Sequence, residues 1–215
     1  MHSQPLFQVD DLNELHGLMR AHPLATVVTL STVPALSDAT GLQADLLPLE
    51  VVAAPGGAVC LRGHVARSHA MAQSVLSGAE VLAVFQSPNA YISPRWYVNG
   101  QRSGRLAPSW NYAAAEARGR LRWVDDAGWM RSHLGALAAA QESGRAQPWS
   151  LGDAQPAFID EAAARLVGFE VTVDRLVGKR FLSQQRTEAD RRSVIAHLLQ
   201  EPGGAASDVA RLIVP

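Results

Sequence analysis

The sequence predicts a mainly β protein, an antiparallel barrel of six or seven strands with added helices, and three observations carry that expectation. Apolar, β-branched segments of strand length recur between Gly- and Pro-containing stretches. Helical periodicity enters at irregular places, whereas a doubly wound sheet needs regular strand–helix alternation. Neither GxGxxG nor GxxxxGK[ST] occurs.

Taken in order, Asp11 to Ala21 reads as a short helix, with Leu12, Leu15 and Leu18 or Met19 at helical spacing, Asp11 and Glu14 placed as a capping box, and Pro23 ending the run. Leu24 to Thr32, Leu46 to Ala53 and Ala58 to Arg62 read as strands, punctuated by Pro34, Gly41 and a hairpin turn at Pro55-Gly56-Gly57. In GHVARSHAMAQSVLSG, Val65, Ala66, Met71, Ala72, Val75 and Leu76 suit a helix ending at Gly78. A strand running into a helix start with His64, Arg67 and Ser68 nearby can hold a phosphate, although solvated residues on a first helical turn look the same.

Glu80 to Gln86 is a further strand. Trp110 to Val124 is a long one whose period of two puts Arg118, Arg120 and Arg122 on one face, either solvated or neutralised by an anion or a second subunit. Asp126 to Glu142 and Ala157 to Arg165 read as helices. Leu166 to Leu182 reads as a two-strand hairpin hinged near Asp174 to Gly178. Thr187 to Gln200 and Ser207 to Val214 close the chain as helices.

With 215 residues, 47% hydrophobic and 18% charged, the chain suits one folded domain of ordinary size, or one such domain plus a small appendage. A formal net charge of -1 gives no support to a dominant role on nucleic acid or anionic membrane. The N-terminus carries no basic segment followed by an apolar core, and no apolar run approaches the ~20 residues that span a bilayer, so the expected location is cytoplasmic. Cys60 is the one cysteine, which excludes an intramolecular disulfide and a zinc pair of thiolates.

The chemistry concentrates in Gln86 to Tyr112, which holds two of the five Trp, all three Tyr and three of the 12 Pro, with Arg as its only charged residue type. Rings with polar tips suit a flat polar ligand. The stretch contains no acid for a paired-carboxylate site, no Ser in the chain lies in GxSxG, and the seven His are scattered. Rings, amides, hydroxyls and cations remain, including Lys179 to Arg186 (KRFLSQQR); such a set can bind a planar anionic ligand.

SPNAYISPRWY, APSWNY, RGHVARSH, GFEV and KRFLSQQR, in one order over about Leu6 to Arg211, together resemble the PaiB-type FMN-binding proteins, often described as negative transcriptional regulators. The resemblance implies the FMN-binding split barrel, shared with pyridoxamine phosphate oxidases and flavin reductases, and a homodimer with FMN between subunits. It implies residues 1–180 as the barrel domain and 181–215 as a helical extension packed on it. It nominates for FMN His64, Arg67 and Ser68; Ser93, Trp96 and Tyr97; Ser109, Trp110 and Asn111; and Lys179, Ser183, Gln184 and Arg186. Arg67 and Lys179 would take the phosphate, and Trp96 or Trp110 the ring or an interface. The functions implied are a flavin-binding regulator or an FMN-dependent oxidoreductase. The last two helices look superficially like a DNA-binding pair, but residues 179–215 hold six basic against four acidic side chains, a thin balance for DNA.

Overall fold

A computed structural model describes residues 1–31, 41–53, 59–104 and 107–215. The chain forms two compact units, one of Pro23–Ala83 and Ala117–Arg175, the other of Met1–His22, Val84–Glu116 and Leu176–Pro215.

The first unit contains residues of seven strands: β2 (Leu24–Leu30), β3 (Leu42–Pro48), β4 (Glu50–Ala53), β5 (Val59–Ala66), β6 (Glu80–Gln86), β8 (Ser109–Val124) and β9 (Leu166–Phe181). Their order across the sheet is β3-β2-β6-β8-β9-β5-β4. The pairs β2 with β3, β4 with β5, and β5 with β9 are antiparallel. Helices α2 (Ala70–Ser74), α4 (Ala127–Glu142) and α5 (Pro156–Ala164) complete it. On α4 the Asp126 side chain accepts from the Trp129 amide at 2.6 Å, the N-cap that starts this helix. Gly119 lets β8 meet β9 closely, because a Cβ there would stand 2.0 Å from the Thr172 carbonyl oxygen. Gly168 does the same for a ring: its Cβ would meet Trp129 at 2.1 Å.

The second unit has β1 (Gln8–Val9) and β7 (Ala90–Ile92), with α1 (Leu12–Ala21), α3 (Val98–Ser103), α6 (Glu188–Leu198) and α7 (Gly204–Leu212). β1 pairs with the end of β9, Gln8 opposite Lys179, and β7 pairs with the start of β8, Tyr91 opposite Trp110. Its core gathers Ile92, Tyr97, Leu182, Val194, Leu198 and Val209. Thr187 caps α6, and the buried Asp190 carboxylate accepts from the Asn99 amide at 2.8 Å and from Thr187 Oγ1 at 2.9 Å, tying α3 to α6.

Four local expectations change. Leu46 to Ala53 is two strands, broken at Leu49, whose amide bonds to the Pro23 carbonyl at 2.9 Å instead of a sheet neighbour. The helix expected from Val65 shrinks to Ala70–Ser74, because Gly63 to Ala66 pair residue by residue with Phe169 to Leu166; ladder hydrogen bonds outweigh a weak helical period. Leu166 to Phe181 is one continuous strand rather than a hairpin, since its first half pairs with β5 and its far end with β1. The stretch between β6 and β8, expected as an aromatic loop between two strands, holds β7, a 3₁₀ turn at Pro94–Trp96 and α3. The turn at 55–57 and Pro34 lie outside the described residues.

Candidate functional site

Period two along β8 puts Trp110 and Tyr112 on one face and Asn111 on the other. Trp110 is 55% exposed and Tyr91, its cross-strand partner, 48%, with ring centroids 6.0 Å apart and edge-on. At the end of β9 the Lys179 ammonium lies 5.5 Å from the Tyr112 centroid and 5.6 Å from that of Phe181, itself 4.4 Å from Phe7. Among the described residues no carboxylate forms an ion pair with Lys179. The result is a face of exposed and half-buried rings with one available cation.

The remaining nominated residues of this unit are buried or half-buried and make local contacts. Asn111 is wholly buried and donates from Nδ2 to Ser183 Oγ at 3.0 Å. Ser183 has a φ of 64°, a left-handed backbone that a non-glycine residue adopts only when held there. Gln184 helps hold it: its Oε1 accepts from the Leu182 amide at 2.6 Å, and its Nε2 donates to the Arg180 carbonyl at 2.7 Å. Tyr97 is buried under the Arg186 guanidinium, 4.1 Å from the ring centroid; burial pushes its hydroxyl pKa up, with the Arg186 charge opposing. Trp96 stacks on His197 at 5.4 Å, Ser93 caps the 3₁₀ turn through the Arg95 amide, and Ser109 stands opposite Ile92. Sequence reasoning could nominate these residues by type, but not separate the exposed Trp110 and half-buried Lys179 from the buried Tyr97, Asn111 and Ser183.

His64, Arg67 and Ser68 belong to the other unit. Arg67 follows β5 and grips the exposed Asp125 carboxylate with two nitrogens, one contact at 3.0 Å, while Nε donates to the Ala164 carbonyl at 2.9 Å. The hydrogen bond to Arg67 draws the Asp125 carboxyl below its ordinary value. A cavity of about 550 Å³ beside it is lined by Asp125, Asp126 and Asp160. Ser68 is exposed in the following turn. His64 Nδ1 lies 3.2 Å from His133 Nε2, and His133 Nδ1 lies 3.1 Å from Glu50 Oε2. His133 and Glu50 were not among the sequence candidates; the available signal was a His on the apolar stripe of α4, at helical spacing from Trp129 and Met130.

Residues 1–175 match the family described as "Putative FMN-binding domain". The chain belongs to this PaiB-type FMN-binding family. It is 27% identical over 200 residues to an uncharacterized protein of Emericella nidulans, covering 81% of this chain and 76% of that one. It is 28% identical over 153 residues to the protease synthase and sporulation protein PAI 2 of Bacillus subtilis, covering 71% of each. Among solved structures it resembles an FAD and heme binding protein of Mycobacterium smegmatis, at TM-score 0.57 and 16% identity over 80% of this chain and 72% of that one. It also resembles a flavocytochrome of Azotobacter vinelandii, at TM-score 0.56 and 11% identity over 83% and 72%. At such identities the likeness is one of fold, the flavin-binding split barrel.

The donor set around Lys179 fits the family's FMN: flat rings for the isoalloxazine and an ammonium that has no carboxylate partner among the described residues and can take an anion. The set around Arg67 fits a phosphate less well, because three aspartates line its cavity and one already holds the guanidinium. A phosphate there would have to displace Asp125.

Proposed function

We propose that this PaiB-type chain binds FMN on the Tyr91, Trp110, Tyr112 and Lys179 face, at the interface of a homodimer, and acts as a negative transcriptional regulator. The observation that carries the binding is Lys179, held over two rings with no acid paired to it among the described residues. Bound FMN would supply one- and two-electron chemistry; the chain supplies a ring platform and a counter-charge. Support for the dimer comes from exposed Leu24 and Leu30 of β2 and Leu42 and Leu46 of β3, an apolar face that a second copy would cover. The regulatory reading leans on the name of the Bacillus relative. Because α6 and α7 spend their apolar faces on their own core, direct reading of DNA by this pair is not part of the proposal.

A second reading, an FMN-dependent oxidoreductase, is favoured by the fold likeness to a flavin and heme protein and to a flavocytochrome. Bleaching of the flavin by a reduced nicotinamide without oxygen would select it.

An absorbance titration of the purified protein with FMN tests the binding. Lys179→Ala is expected to weaken binding by about 2 kcal/mol, roughly 30-fold, as for a lost charge-assisted contact. An equal loss in Arg67→Ala with none in Lys179→Ala would move the phosphate to the end of β5. No binding by the wild type at tens of micromolar FMN would sink the reading.

A further inference from the structure

Glu50 on β4, His133 on α4 and His64 on β5 form a hydrogen-bonded row within the seven-strand unit. His133 is buried, and the Trp129 ring stacks on it with centroids 4.9 Å apart. An ionised carboxylate only accepts, so the proton between Glu50 and His133 belongs to His133 Nδ1. In the neutral ring Nε2 is then a lone pair, and the proton between the two imidazoles belongs to His64 Nδ1. The chemistry of Glu50 therefore fixes the far end, where His64 Nε2 carries a lone pair. That nitrogen has no protein partner among the described residues, and His64 is only half-buried.

We propose that this row is a proton-transfer site whose working end is His64 Nε2. It accepts a proton from an acidic N–H, O–H or S–H group of a small molecule, or from water, beside β5. The donor's bond to hydrogen breaks and a bond to Nε2 forms. The Nδ1 proton of His64 passes to His133 Nε2, and the Nδ1 proton of His133 shifts toward Glu50. One proton enters and one positive charge is added, shared along a row that ends on a carboxylate; returning the proton resets it.

The surroundings limit the row to one added proton. Glu50 comes from β4, Arg62 and His64 from β5, and Glu170 from β9, while α4 brings the uncharged Trp129. Burial lowers the proton affinity of both imidazoles, and Glu50 opposes this at His133. A second imidazolium 3.2 Å from the first would find no further counter-charge among the described residues, since Glu170 is already shared by Arg62 and Arg122. Nothing in this inference depends on FMN.

Nitrogen-15 NMR of the labelled full chain tests it. Near neutral pH both His64 and His133 are expected to carry the proton on Nδ1. On acidification both rings should respond with one shared midpoint below the ordinary ~6.5. Glu50→Gln should lower that midpoint by on the order of one pH unit, because the charge favouring the imidazolium is gone. Carbethoxylation of His64 Nε2 by diethyl pyrocarbonate, mapped by mass spectrometry, should follow the same midpoint. A His64 proton on Nε2, two independent midpoints, or a Glu50→Gln variant that melts earlier without moving the midpoint would each overturn the proposal. If Glu50→Gln does not fold, the wild-type tautomers and the shared midpoint decide.

Discussion

Glu170 shows how one side chain can hold several elements in register. Its carboxylate accepts from Trp129 Nε1 at 2.9 Å, from Arg62 Nε at 3.0 Å and from Arg122 Nη2 at 2.5 Å, joining α4, β5 and β8 to β9. Burial works to raise its pKa, but these hydrogen bonds and the two guanidinium charges hold it below the ordinary carboxylate value. A carboxyl with a depressed folded pKa contributes stability that is present above the unfolded value, ~4.3, and is lost as pH falls through the lower folded value. Glu170→Gln should therefore cost about 1–3 kcal/mol at neutral pH and flatten the acid limb of stability below about pH 4.5, as read by urea unfolding across pH. His64 and His133 act in the same direction at higher pH. Their folded pKa values are lowered, so their contribution is full above ~6.5 and falls as pH drops toward the folded values. Burial, followed by the Glu170 charge, also pushes the half-buried Cys60 thiol up, so slow alkylation by maleimide near neutral pH is expected.

For the elements, close approach and capping decide stability. Gly119→Ala sets a methyl group against the backbone oxygen of Thr172, which no rotamer change relieves, and should cost several kcal/mol or abolish folding. Gly17 in α1 has nothing within 4 Å of its Cβ position, so Gly17→Ala should stabilise by about 0.5–1 kcal/mol. Asp126→Ala removes the N-cap of α4 and should cost about 1 kcal/mol. Thermal melts of the three variants would test the assignments together; equal shifts for Gly17→Ala and Gly119→Ala would contradict the strand contact.

For the whole molecule, the exposed leucines of β2 and β3 are the feature that one chain by itself does not explain, with Leu46 at 66% exposure. If a second copy covers them, wild-type protein sediments as a dimer and Leu46→Glu as a monomer. A monomeric wild type at micromolar concentration would remove the dimer from the proposal. Among the described residues no helix is long and apolar enough to cross a membrane.

The sequence by itself determined most of the element types and the family. Strand segments such as Glu80 to Gln86 declare themselves by β-branched apolar runs between turns, the helix after Thr187 by its apolar period and a residue type that can cap free amides, and the FMN-binding membership by motifs in a fixed order. These are local properties, set by a residue and its near neighbours. What only the tertiary structure decided was pairing over long separations. It carried β5 on to Ala66, made β9 one strand, buried Asn111 behind Ser183, left Lys179 over Tyr112, and set His133 against residues 69 and 83 positions away. A side chain's availability for chemistry depends on what other strands bring against it, and spacing along the chain does not encode that contact.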